Sequence, residues 1–200
     1  MSKHDPAASK RERNKTIRWV VTIFLVTIVV SSVISLVSEE LMSGSGLLAC
    51  FLILFTIILV GIVFDIIGMA VASADEKPFH SMAARKVTGA QQAIRLLRNA
   101  ERVSSICNDV VGDICGVVSG SASATITALI LTNIQSGWPR GISLAMSALV
   151  AGLTVGGKAI GKTFAMNSAT AIVHLVGRLI YWFNHIPDFF RNRKNRKQRS

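Results

Sequence analysis

Charge is what this chain has least of. Asp, Glu, Lys and Arg make up only 16% of its 200 residues, against about 25% in an ordinary soluble domain. Acids are scarcer than bases, 11 against 22, so the little charge present leaves a formal net of +11. A soluble nucleic-acid binder carries such an excess on a water-soluble fold. Here 50% of the residues are hydrophobic, and the bases sit in blocks between uncharged runs. That is the pattern of membrane spans with basic flanks. Cysteine is also sparse. Cys50, Cys107 and Cys115 are odd in number, with no zinc or haem spacing. On one helix Cys107 and Cys115 would lie about 12 Å apart along the axis, too far for a disulfide. All three read as small packing residues. A cleavable secretory leader is not expected either: the first apolar run exceeds a leader core, and no small-residue cleavage site follows it. His80, His174 and His185 form no nucleophile or metal cluster, which argues against an enzyme.

What is present is a series of long apolar runs. Residues 17–37 and 47–72 are each long enough to cross the ~30 Å hydrocarbon layer as a helix. Residues 103–134, rich in Gly, Ser and Ala, and residues 142–157 give a third and fourth span. The fold class predicted is all-α: a polytopic helical membrane protein with about four spans. Between the second and third spans, Pro78 signals a helix start. Val87, Ala90, Ile94 and Leu97 then recur three or four apart, with Arg85, Lys86, Arg95, Arg98 and Arg102 mostly on other faces. This reads as a basic amphipathic interfacial helix near 79–102, or two short ones broken near Gly89. Residues 163–186 read as a second interfacial helix.

Topology follows from counting Lys and Arg. The segment through Arg18 holds six, 38–46 none, 73–102 six, 135–141 one, and the tail 191–200 six. With four spans, every basic block lies on one side, the cytoplasmic side of a cell (inner) membrane. The N-terminal segment 1–16 and the tail 191–200 are both cytoplasmic on this reading. The tail is expected to be irregular. It lacks an aromatic platform, so no nucleic-acid partner is expected; the lipid bilayer is the expected partner.

Residues 155–164, "VGGKAIGKTF", fit the phosphate-loop pattern through Gly156, Gly161, Lys162 and Thr163. Such a loop needs a strand, a glycine turn and a helix N-terminus in a parallel sheet. Too little chain remains outside the apolar runs to build one, so no nucleotide is expected.

Ionisable residues in a span cost on the order of 2.5–3.5 kcal/mol at its centre, so each calls for a partner or a task. Asp65 lies in the second span. Asn108, Asp109 and Asp113 open the third, with Asp109 and Asp113 four apart on one face. Lys158 and Lys162 close the fourth, also four apart. Antiparallel spans bring these ends to one depth. Their hard oxygens suit Mg²⁺ or Ca²⁺; the other reading is a structural ion-pair network. Gly112, Gly116 and Gly120, and Gly152, Gly156, Gly157 and Gly161, are expected to be seams of close helix approach.

Four stretches, "FDIIGMAV" (64–71), "LLRNAER" (96–102), "ICND" (106–109) and "GKAIGK" (157–162), together resemble the transmembrane domain of the CorB/CorC and CNNM magnesium-transport proteins. The ordered set covers roughly residues 47–186. That family has an F-S-x-S-E-x-A-L-like span end, a basic link, an I-G-N-N opening and a G-E-x-x-P-K closing. Asn108 matches the first Asn of I-G-N-N. Asp65 stands at the first Ser of the first motif, Ile67 and Gly68 at its second Ser and Glu. Asp109 stands at the second Asn, Lys158 at the Glu of the last motif, and Gly161 at its Pro. The resemblance implies a compact relative without the family's nucleotide-sensing domains, forming a homodimer. It implies Mg²⁺ as the ion, or none. Asp65, Asn108, Asp109 and Asp113 would be ligands, and Lys158 and Lys162 a gate or counter-charge. The alternative implied is a non-transporting membrane scaffold or regulatory partner in which Lys158 neutralises the former cation site.

Overall fold

The computed structural model describes residues 6–133 and 138–196, with side chains over 17–133 and 138–184. Among the described residues every regular element is helical and none is a strand. In chain order they are α1 (Pro6–Met42), α2 (Leu47–Ser73), α3 (Lys77–Ala84), α4 (Ala90–Arg98), α5 (Ala100–Ser105), a π-helical segment (Ile106–Gly112), α6 (Asp113–Asn133), α7 (Pro139–Asn167) and α8 (Ala169–Arg196). Four stretches are long and apolar enough to cross a membrane, as a membrane protein requires: Ile17–Met42, Leu47–Ser73, Ala100–Asn133 and Pro139–Asn167.

The helix bounds refine the reading of the sequence. The fourth span runs ten residues past its predicted end at 157, because nothing from Lys158 to Asn167 breaks a helix. The last helix accordingly starts at Ala169 rather than 163. Its backbone runs through Arg196, into the stretch predicted to be irregular; residues 197–200 and the side chains from 185 on, His185 among them, lie outside the described residues. The basic stretch 79–102 is broken into pieces. Gly89 adopts a left-handed φ of 87° ahead of α4, and Asn99 separates α4 from α5.

The chain divides into two compact units. One comprises residues 1–57 and 114–150, the other residues 58–113 and 151–200.

In the first unit α1 turns into α2 through Gly44, whose φ of 77° gives the left-handed residue that ends a helix. Cys50 is fully buried beneath this turn, its thiol donating to the Met42 carbonyl at 3.8 Å. An apolar groove of about 420 Å³ separates α1 from α2, lined by Val33, Ile34, Val37, Leu52, Ile53 and Ile57 among others. In α6 the buried row is Val118, Ser119, Ala122, Ser123, Ile126 and Thr127. Ser119 donates to the Cys115 carbonyl and Thr127 to that of Ser123, so these hydroxyls are satisfied by their own helix. The expected seam differs: a Cβ at Gly116 or Gly120 would meet nothing within 4 Å. Small side chains, rather than the glycines, occupy the contact face.

The second unit has one hydrophobic core, formed by Ala70 and Val71 of α2, Phe79 of α3, Ala93 and Ile94 of α4, Ala165 of α7, and Ala169 and Val173 of α8. Small residues dominate it, so backbones approach closely. A Cβ on Gly89 would lie 2.6 Å from the Arg178 backbone nitrogen, and one on Gly177 would lie 2.6 Å from the Gly89 carbonyl. These two glycines let the loop before α4 lie flat on α8. His174 fixes it further, its ring Nε2–H donating to the Thr88 carbonyl at 3.2 Å.

Candidate functional site

Within the second unit, three helical segments meet at the level of Asp65. α7 lies against α2 through a ridge and groove four residues long on each side. Ile62 and Ile66 of α2 fill the hollows left by Gly157 and Gly161 of α7; a Cβ on Gly161 would stand 2.7 Å from Ile66 Cγ1. Here the expected glycine seam is present. Gly152 and Gly156, by contrast, face open space, with nothing within 4 Å of a Cβ built on either.

On its other side this stretch of α2 meets the π segment. Gly68 lies directly against the Asn108 side chain: a Cβ there would overlap Oδ1 and stand 2.8 Å from Cγ. Asn108 Nδ2 donates to Ser104 Oγ at 3.3 Å, one turn back. Its Oδ1 is buried and accepts no hydrogen bond. An unsatisfied buried acceptor costs about 1–3 kcal/mol, so this oxygen is a departure from ordinary core chemistry.

One turn further on, Gly112 is the floor of a charged site. A Cβ built there would lie 3.3 Å from Lys158 Nζ, 3.5 Å from the Cys107 carbonyl oxygen and 3.9 Å from Asp65 Oδ1. The ammonium of α7 and the carboxylate of α2 therefore converge on one patch of bare backbone in the third span. Both side chains are half-buried. The Cys107 carbonyl precedes Gly112 by five residues, the hydrogen-bonding step of a π-helix. That wider turn covers the whole of the "ICND" stretch, Ile106–Gly112, and π turns occur preferentially at functional sites.

The predicted site residues thus divide. Asp65, Asn108 and Lys158 come to neighbouring turns of one three-helix junction. Asp109 is exposed, and its carboxylate accepts from Ser105 Oγ at 2.8 Å. Asp113 and Lys162 are exposed as well. Among the described residues, no group of three or more His, Cys, Asp or Glu is arranged to hold a metal ion. The side-chain oxygens gathered near Gly68 and Gly112 are the Asp65 carboxylate, the Asn108 amide and the Ser104 hydroxyl, with the Cys107 carbonyl nearby and the Lys158 ammonium among them; a single carboxylate with an ammonium beside it is ill-suited to a resident divalent cation. An ammonium a few Å from a divalent ion opposes it by several kcal/mol even at an effective dielectric of about 20.

The phosphate-loop match has a plain outcome. Gly156, Gly161, Lys162 and Thr163 all lie inside α7, and the Thr163 hydroxyl points back to the Ala159 carbonyl. The backbone N–H groups there are committed to the helix and cannot cradle a phosphate.

Sequence reasoning named Gly68 only as standing at the Glu of the first motif, not as the residue that admits Asn108. Its signal was its spacing, one helical turn after Asp65 on the same face. No family model, curated protein or solved structure matches this chain.

Proposed function

We propose that this chain is a non-transporting membrane scaffold or regulatory partner, built on a plan resembling the CorB/CorC and CNNM membrane domain, in which Lys158 stands in place of the cation at Asp65. The observation that carries this reading is the convergence of Lys158 Nζ and Asp65 Oδ1 on Gly112. A carboxylate in a span needs a compensating charge, and here the chain supplies it from its own fourth span. Because the ammonium is tethered, it stays near the acid, both within 4 Å of a Cβ built on Gly112, and leaves with no gradient. The basic blocks at 1–18, 73–102 and 191–200 support a cytoplasmic placement of both ends.

A second reading has one observation in its favour. The buried, unsatisfied Asn108 Oδ1 is the kind of hard oxygen that accepts a cation, which supports transport of Mg²⁺ through a modified site.

Magnesium flux into liposomes carrying the purified protein separates the two. The scaffold reading expects wild-type flux equal to that of protein-free liposomes, with Lys158→Glu gaining magnesium-dependent thermal stabilisation because an ion that binds the folded state must raise stability. Wild-type flux that is abolished by Asn108→Ala establishes the transport reading instead.

A further inference from the structure

We infer that the edge of α8 and the loop between α3 and α4 form a binding site for the phosphate headgroup of an anionic lipid, with Lys86 and Arg178 as its cationic contacts. Two independent features lead there.

The first is an apolar row that no described residue covers. Leu175, Leu179, Trp182 and Phe183 recur at helical spacing along α8 and are all exposed, Trp182 at 67% and Phe183 at 68%. The opposite face of α8 carries Val173 and Gly177, which pack on the core and on α4. α8 therefore has two apolar faces, one covered by protein and one open. A helix of this kind with Trp at its open face is seated in the membrane interface.

The second feature is the charge along the border of that row. Arg178 lies one turn before Trp182, between the open face and the face that meets α4. The α3–α4 loop is held against this border at two points, by the His174–Thr88 bond and by the Gly89 approach to the Arg178 backbone. The loop brings Arg85 and Lys86, both exposed. Lys86 is the one described non-glycine residue with positive φ, 56°, a conformation uncommon for lysine. The loop 85–89 holds no acid, and α8 holds none from Ala169 to Asn184. The nearest acid preceding the loop, Glu76, is already engaged by His80 at 3.1 Å and Arg98 at 3.3 Å. Among the described residues, Lys86 and Arg178 have no ion-pair partner.

Apolar side chains flanked by cations that no described acid pairs match a phospholipid: acyl chain beside Leu179 and Trp182, phosphate beside Arg178 and Lys86. A zwitterionic lipid satisfies the row but not the excess charge, so the site prefers an anionic one. Each basic residue near an anionic surface contributes ~1 kcal/mol, or about fivefold in affinity.

Trp182 makes the test direct. In a Trp19→Phe/Trp138→Phe background, Trp182 is the sole indole, and its quenching by brominated phosphatidylglycerol is compared with that by brominated phosphatidylcholine. The expected result is a severalfold preference for phosphatidylglycerol. Lys86→Asn/Arg178→Gln should bring it close to equality while quenching by the phosphatidylcholine persists. Asn is chosen at 86 because it tolerates positive φ. Without any substitution, the preference should also collapse as ionic strength rises from about 0.01 to about 1 M, where the screening length falls from ~30 to ~3 Å. Equal quenching by the two lipids in the parent, or a preference insensitive to salt, overturns the site. So does a preference that survives the double substitution, or one abolished only by deleting residues 191–200. Competition by soluble glycerol phosphate at matched concentration would assign the cations to a free anion rather than a lipid.

Discussion

The first and third spans are opposites. In the most apolar window of Ile17–Met42 none of the residues is buried inside the protein, whereas in that of Ala100–Asn133 44% are. The first is dominated by Val, Ile, Leu and Phe, with Thr22, Thr27, Ser31, Ser32 and Ser35 among them, and holds no glycine; the third carries Gly, Asn and Asp besides its serines. In a membrane, lipid tails are as apolar as leucine, so large aliphatic side chains gain nothing by leaving lipid for a neighbouring helix. Small and polar residues do gain, through close approach and hydrogen bonding. The difference teaches that a large aliphatic run can stay uncovered by protein, while the covered face of the third span is built on small residues such as Ser119, Ala122 and Ser123.

Glycines give the sharpest way to break that comparison. Gly89→Ala should be the most damaging single change, because the new Cβ meets the backbone of Arg178 and the position has φ of 87°. Strain and overpacking together predict a loss of about 3 kcal/mol or more, read from unfolding in detergent. Gly68→Ala should cost about 1–3 kcal/mol, since the methyl must displace the Asn108 amide. A loss as large at Gly116 as at Gly68 would sink the distinction between covered and open glycines.

The charged junction predicts a smaller effect. In a double-mutant cycle, Asp65→Asn and Lys158→Gln should each destabilise, and the pair together by less than the sum, with a coupling of about 0.5–1 kcal/mol. Strict additivity would mean that the two groups are neighbours without interacting. Gly112→Ala should be nearly silent, because its closest neighbour is the movable end of Lys158 at 3.3 Å. Last come Gly116→Ala and Gly152→Ala, both facing open space. Their stability should stay within about 0.5 kcal/mol of wild type.

Much of the junction was legible in the chain. The four apolar runs are local features, and the length needed to cross a bilayer is fixed by the bilayer itself. Asp65, Asn108 and Lys158 stood out because ionisable or amide groups in such runs are rare. Asp109 and Asp113 were grouped with them on α-helical spacing, a sound rule for a regular helix. The π turn from Ile106 to Gly112 changes the angle between successive side chains. Asn108 consequently faces Gly68 while Asp109 binds Ser105 and stays exposed. Nothing within seven residues announces such a turn, since its hydrogen bonds differ from those of an α-helix by a single step.

The sequence by itself determined that this is a helical chain with four spanning-length segments, a basic amphipathic stretch broken at Gly89, and a carboxylate and an ammonium inside the apolar runs. Each of these follows from side-chain chemistry read along one helix against water or lipid. Only the tertiary structure decided that Gly157 and Gly161 are contacts while Gly152 and Gly156 are not, that Asn108 rather than Asp109 meets α2, and that Lys158 reaches Gly112. Those outcomes depend on the rotation of each helix about its own axis. That rotation is set by which neighbour presents a ridge and which a hollow, information held in two distant stretches of chain at once.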